Sequence, residues 1–224
     1  MHVNTFISKS TSYSLLTDAF SWFAGTWKVV SECTDVLAPC GIALFGGNRT
    51  YEAALADRGP SNGLNYESRF LMSGDNSVIA DREFNVKSIA KVAMGENSVV
   101  DVSLATPNKF SCLLSLEGAP SLITVDLLVL NRRQEQENAT SFDCSEVVRE
   151  IVSGVQRTSS AILKEVETTS LYTFDETKGS MNCRQRSATF LLPSQDDPMA
   201  LQMWQATRGR PIDVRYYNVR YDKK

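Results

Sequence analysis

The sequence predicts an all-β protein, an antiparallel up-and-down barrel of roughly eight to ten strands with a few short helices. Three observations carry this. Apolar and polar residues alternate along most of the chain. The links between alternating segments are short and rich in Gly, Pro, Asn and Asp. At 224 residues and 42% apolar content the chain is large enough to bury one substantial core. A long meander must hide its two edges, and closing into a barrel does so. Residues 21–224 read as a single β-barrel domain, and residues 1–20 as a flexible or targeting-like segment.

Taken in order, residues 14–23 predict a short helical turn, and Trp27, Val29 and Ser31 then share one face of a first strand. Weaker strand candidates lie at 49–57 and 78–85. Between them, residues 64–72 place Leu64, Tyr66, Phe70 and Met72 together. Residues 86–95 carry Ile89, Val92 and Ala93 at helical spacing, with Gly95 as a stop. Strands follow at 98–106, 109–117 and 121–130, and the charged segment 131–138 reads as a solvated loop or strand extension. Residues 145–155 are ambiguous. Val147, Val148, Ile151, Val152 and Val155 form a helical stripe, while their β-branching favours a strand. Strands at 162–174 and 180–192, a helix over 194–209 carrying Trp204, and a last strand at 211–221 complete the chain.

Two of these strands predict what the barrel interior looks like. One face of 162–174 reads Ile162, Lys164, Val166, Thr168, Ser170, Tyr172, Phe174. One face of 180–192 reads Met181, Cys183, Gln185, Ser187, Thr189. The opposite register would bury Arg184 and Arg186, so the mixed faces are the inner ones and make a partly polar wall. Thr168, Ser170, Tyr172, Gln185 and Ser187 are therefore candidate ligand-binding residues. Arg82 shares the apolar face of 78–84 with Val78, Ala80 and Phe84. It is a candidate anchor for a ligand carboxylate, the alternative being a rim arginine paired to Asp81, Glu83 or another acid.

Several function classes are excluded or disfavoured. The only histidine is His2, so a Ser-His-Asp triad, a Cys-His pair, a His-ligated zinc and a His-ligated haem lack their imidazole. Gly46-Gly47-Asn48 has no following Lys-Ser/Thr and reads as a turn, not a phosphate loop. The five cysteines include no C-x-x-C pair; Cys33, Cys112 and Cys183 read as buried hydrophobes, and Cys33 and Cys40 are close enough in sequence for a disulfide. No metal site is expected. A net charge of −3 gives no broad positive field for nucleic acid; the basic, tyrosine-bearing end from Arg208 to Lys224 reads as the outer face of a last strand. No apolar run approaches the ~20 residues that span a bilayer.

Phe23-Ala24-Gly25-Thr26-Trp27, an aromatic two residues before Gly-x-Trp at the head of the first strand, resembles the signature of lipocalin-type (calycin) barrels. That resemblance implies that Gly25 and Trp27 form a plug at the closed end, with an arginine from the last strand, Arg215 or Arg220, packed across the indole. Four further segments, WFAGTWKVVSE, VIADREFNVKSIAK, LKEVETTSLY and RGRPIDVRYYNVRY, resemble a family of uncharacterised cyanobacterial and plastid proteins. This implies a photosynthetic source, a plastid or thylakoid-lumen location and, beside phycobilin lyases of similar barrel type, a role in handling chromophores.

The expectation is non-enzymatic binding of a small apolar or amphipathic molecule (a lipid, pigment or tetrapyrrole) inside the barrel. The alternatives are a structural or assembly factor of a photosynthetic membrane complex with a filled core, and a chromophore-handling enzyme.

Overall fold

The computed structural model describes residues 22–74, 77–115, 122–154, 162–193 and 198–224. Ten strands form one antiparallel sheet. They are β1 (Gly25–Leu37), β2 (Leu64–Met72), β3 (Val78–Ala80), β4 (Val99–Thr106) and β5 (Lys109–Leu114), followed by β6 (Ile123–Asn138), β7 (Ser141–Gly154), β8 (Ile162–Asp175), β9 (Ser180–Leu191) and β10 (Asp213–Lys223). Their order is β3-β2-β1-β10-β9-β8-β7-β6-β5-β4, a meander from β4 to β10 whose last strand returns to pair with β1. The sheet curls into a half-barrel with β3 and β4 at its edges. The helices are α1 (Ile42–Phe45), α2 (Asn48–Ala56), α3 (Arg82–Met94) and α4 (Pro198–Thr207).

The predicted strands at 64–72, 98–106, 162–174, 180–192 and 211–221 are present, those at 109–117 and 121–130 are present over Lys109–Leu114 and from Ile123, with 116–121 outside the described residues, and 131–138 extends β6. Three elements differ from expectation. Residues 49–57 are α2, because an Ala-rich segment after a Gly-Gly turn favours helix. Residues 78–85 split after Ala80, where Asp81 accepts a hydrogen bond from the Phe84 amide and caps α3. The third is the ambiguous segment from 145, which follows its β-branching: 145–154 form most of β7. The helix expected at 14–23 falls mostly outside the described residues.

Helix α3 stands where the sheet does not close. Along the β2 edge its Asn85 replaces a strand partner: Oδ1 accepts from the Arg69 amide at 2.6 Å, and Nδ2 donates to the Arg69 carbonyl at 3.1 Å. Ser88 Oγ accepts from the Glu67 amide at 2.9 Å. On the other side Ser98, just before β4, donates to the Ala90 carbonyl. The helix thus satisfies backbone groups that an open edge would leave for another chain.

The interior holds two apolar clusters. One is aromatic: Phe23, Trp27, Phe70, Phe142, Tyr172 and Tyr221 are buried together, with Phe23 and Phe70 rings 4.3 Å apart and Phe142 stacked on Tyr172 at 4.8 Å. The other is mainly aliphatic, with Val86 of α3 packed among Phe110, Leu114, Val125, Leu127 and Val148.

The Gly-x-Trp motif serves the aromatic cluster. Gly25 has φ +125°, a conformation that suits glycine, and an added Cβ would sit 3.4 Å from the Lys223 side chain, so the backbone angle rather than space calls for glycine. Trp27 is fully buried, and its Nε1 donates to the Phe23 carbonyl at 2.9 Å. The cation over the indole is Lys223, 5.4 Å from the ring centroid. Neither expected arginine takes that place. Arg220 is on the outer face with Asp222, and Arg215 lies farther along β10, 5.8 Å from the Phe45 ring. The reason is register: Lys223 is the β10 residue opposite Trp27.

Candidate functional site

The two mixed faces read from the sequence meet one another residue for residue. Ser187 pairs with Thr168, Gln185 with Ser170 and Cys183 with Tyr172, and all six side chains are buried. Following the register outward, one line crosses five strands: Arg215 of β10, Ser187, Thr168, Glu146 of β7 and Arg132 of β6. Directly opposed side chains on such a line have Cβ atoms ~5 Å apart. The adjacent line carries Tyr217, Gln185, Ser170 and Cys144, with Gln185 Nε2 donating to Ser170 Oγ at 3.1 Å. These two lines form a polar band on the inner face. Of the predicted ligand-binding residues, Thr168, Ser170, Gln185 and Ser187 lie in the band; Tyr172 lies one position beyond it, in the aromatic cluster.

Arg82 joins the band from α3. The Asp81 cap sets the first turn of the helix, and the Arg82 guanidinium then reaches inward, with Nη2 donating to Glu146 Oε1 at 2.9 Å. Arg132 Nε donates to the same oxygen at 2.6 Å and is itself held by Asn108 Oδ1. The Arg82 guanidinium carbon lies 5.6 Å from the Phe110 ring centroid. Asp81 and Glu83 pair elsewhere, with Arg69 and Lys87. Arg82 is therefore inward, as the alternation implied, but it is a helix residue with an interior acid rather than a strand residue at the rim. Arg82 and Glu146 are 7% and 3% exposed. Burial pushes the guanidinium pKa down, and the Glu146 charge opposes that. The pair leaves two atoms without a hydrogen-bond partner, Arg82 Nη1 and Glu146 Oε2.

Glu150, farther along β7, is more unusual. It is 0% exposed, and neither carboxyl oxygen has a partner. Its cross-strand neighbours are Leu127 on β6 and Lys164 on β8. Burial raises its pKa to about 8, with Lys164 opposing the shift. Burial likewise pushes Lys164 below its ordinary range, against the attraction of Glu150 and Asp213. An isolated carboxyl in such surroundings keeps its proton rather than bear the cost of a buried charge.

Neither glutamate was among the residues selected from sequence. On a helical reading of 145–155 they fall opposite the valine stripe and look solvated. Period two instead puts Phe142, Cys144, Glu146, Val148 and Glu150 on one inner face. The β-branched content of that stretch was the signal that identifies it.

The cysteines are free, and Cys33 and Cys40 form no disulfide. Cys40 Sγ instead faces the Pro211 carbonyl at 3.4 Å. Burial pushes the Cys112 thiol up to about 12 and the Cys144 and Cys183 thiols well above their usual range. Such thiols are poor nucleophiles. No cluster of His, Cys, Asp and Glu able to hold a metal occurs among the described residues. No helix of the described residues is long and apolar enough to cross a membrane.

The outer face offers clefts of its own. Grooves of about 550 and 810 Å³ run over β8, β9, β10 and β1 and share Leu171, Arg184 and Asn218. A third, of about 610 Å³, lies between α3 and the neighbouring β2 and β4 residues.

Against known proteins, residues 20–223 match a family model described as a domain of unknown function, DUF6816. No curated protein and no solved structure matches the chain.

Proposed function

This chain belongs to the DUF6816 family, and on that premise we propose that it is a non-enzymatic receptor for a small apolar or amphipathic molecule. The ligand's polar part meets the inner polar band, and its apolar body lies against the flanking clusters. One observation carries the reading. Wholly buried polar atoms of Arg82, Glu146 and Glu150 face the interior without partners, and native interiors rarely leave such atoms unsatisfied without a functional reason. Thr168, Ser170, Gln185 and Ser187 would orient polar groups of the ligand, and the raised thiol pKa values favour binding over cysteine chemistry. A lipocalin-like kinship, a plastid or thylakoid-lumen setting and a lipid, pigment or tetrapyrrole occupant belong to the same proposal. Their support is the buried Gly-x-Trp plug and the segments quoted above.

The test is a binding panel of lipids and pigments. Ser187→Trp places an indole in the band and is expected to abolish retention while circular dichroism still reports the β-sheet; Thr168→Trp serves as a second blocking variant. If the unmodified protein binds no member of the panel, the receptor reading fails.

A second reading, an assembly factor acting through its exterior, is favoured by the outer grooves, where Leu37 and Tyr216 are exposed. On that reading the partner would be a membrane complex. Ser187→Trp would leave its association intact, whereas a charge reversal at the groove, Arg184→Glu, would weaken it.

A further inference from the structure

We infer that Glu150 is the recognition point of the interior site and that it selects ligands bearing an amide edge, one N–H donor beside one C=O acceptor, as in a carboxamide or lactam. The inference rests on the receptor reading above and names the chemistry of its ligand.

The geometry is that of a polar group waiting for a neutral partner. The carboxyl is fully buried on the inner face of β7, and both oxygens lack a hydrogen-bond partner. Its register continues through Leu127 to Phe110, both buried in the aliphatic cluster, so its inner-face surroundings are apolar. Charged groups approach from one direction. Lys164 of β8 is the cross-strand neighbour, with Asp213 and Arg215 of β10 behind it. Glu146, on the same strand, is engaged by Arg82 of α3 and Arg132 of β6. No ion pair ties Lys164 to Glu150 among the described residues.

A buried carboxyl without a salt bridge is stable in its protonated form. That form offers one O–H donor and one carbonyl acceptor side by side. An amide edge presents the complementary pair and introduces no charge. A carboxylate ligand would repel Glu150 once it ionised, and an ammonium ligand would require that ionisation first.

The experiment follows the tryptophan fluorescence of the full chain during titration with two probes of equal length, decanamide and N,N-dimethyldecanamide. The second lacks the donor. At about pH 6 the primary amide is expected to bind about tenfold more tightly, the scale of one or two hydrogen bonds. At about pH 10, where Glu150 is ionised, the O–H that both amide carbonyls accept is lost, so both amides should bind more weakly while the preference for the N–H donor persists. Glu150→Gln keeps a donor and an acceptor at every pH, so its affinity for the primary amide should not fall at the higher pH, whereas Glu150→Leu should lose the preference at both. Equal binding of the two amides at both pH values would overturn the inference and leave the receptor reading standing. Decylamine binding more tightly than decanamide at low pH would also overturn it. If neither amide binds the unmodified protein, the receptor reading and the inference fall together.

Discussion

The interior around Trp27 and the interior around Glu150 are built from one continuous sheet by opposite means. At Trp27 the rings of Phe23, Phe70, Phe142, Tyr172 and Tyr221 fill the space, and the single indole donor is satisfied by the Phe23 carbonyl. Each such ring contributes roughly 1.5–3 kcal/mol by leaving water. At Glu150 a carboxyl that contributes nothing by burial is enclosed beside Leu127, and its pKa is raised to about 8 as a consequence. The polar band of Arg215, Ser187, Thr168 and Glu146 crosses the sheet between the clusters. The difference teaches where to look for function. The aromatic end is dominated by ring packing and accounts for stability, while the carboxyl side encloses a whole ionisable group and retains the cost.

The largest effect should come from the aromatic end. Trp27→Ala empties its best-packed site and is expected to cost about 4–5 kcal/mol in chemical denaturation. A loss under about 1 kcal/mol would mean that this end does not anchor the fold. Next comes the buried ion pair. Glu146→Ala leaves the Arg82 charge without its acid and should cost about 3–4 kcal/mol, whereas the double variant Arg82→Met with Glu146→Leu should recover most of that. Failure of the double variant to recover would show that the cost lies in packing rather than in charge.

The Glu150 effect depends on pH. Its carboxyl titrates at an ordinary 4.5 when unfolded and at about 8 when folded. The folded state therefore holds a proton that the unfolded state has lost, and stability falls as pH rises through that window. Glu150→Gln has no such slope. Relative to the parent it should gain stability steadily as pH rises from about 5 to about 8, and that gain should vanish near about pH 4. Lys164, held low by burial, contributes a slope of the opposite sign at higher pH, so the difference between parent and variant isolates Glu150. A difference that does not change with pH would contradict the buried-carboxyl account.

The smallest effect concerns the seam. Asn85→Ala removes both hydrogen bonds to the Arg69 backbone and should cost about 1–2 kcal/mol. It should also speed amide exchange at Arg69 while leaving β9 protected, which hydrogen exchange can read directly.

Most of this architecture was legible in the chain because it is local. The alternation in 162–174 and 180–192 fixed which faces turn inward, and the avoidance of buried Arg184 and Arg186 fixed the register. The plug at Gly25 and Trp27 was implied only by the resemblance of that motif to calycin barrels; the structure shows Trp27 fully buried there. The cation over Trp27 was not legible. Only the β1–β10 pairing decides that Lys223, and not Arg215 or Arg220, lies opposite. Arg82 fell on the apolar face with a rim pairing as the alternative, and its acid was not legible, because Glu146 is distant in sequence and lies in a stretch whose helical and strand periodicities conflict. Asp81 was read by its charge rather than as a helix cap, so the start of α3 appeared as strand.

The measurement that bears most directly on the receptor claim is native mass spectrometry of the protein isolated from its source, compared with Ser187→Trp prepared the same way. The account predicts a discrete non-covalent adduct on the parent protein that is missing from the variant, although both are folded. A parent protein with no adduct, which also fails to take one up from the lipid and pigment panel, would contradict it.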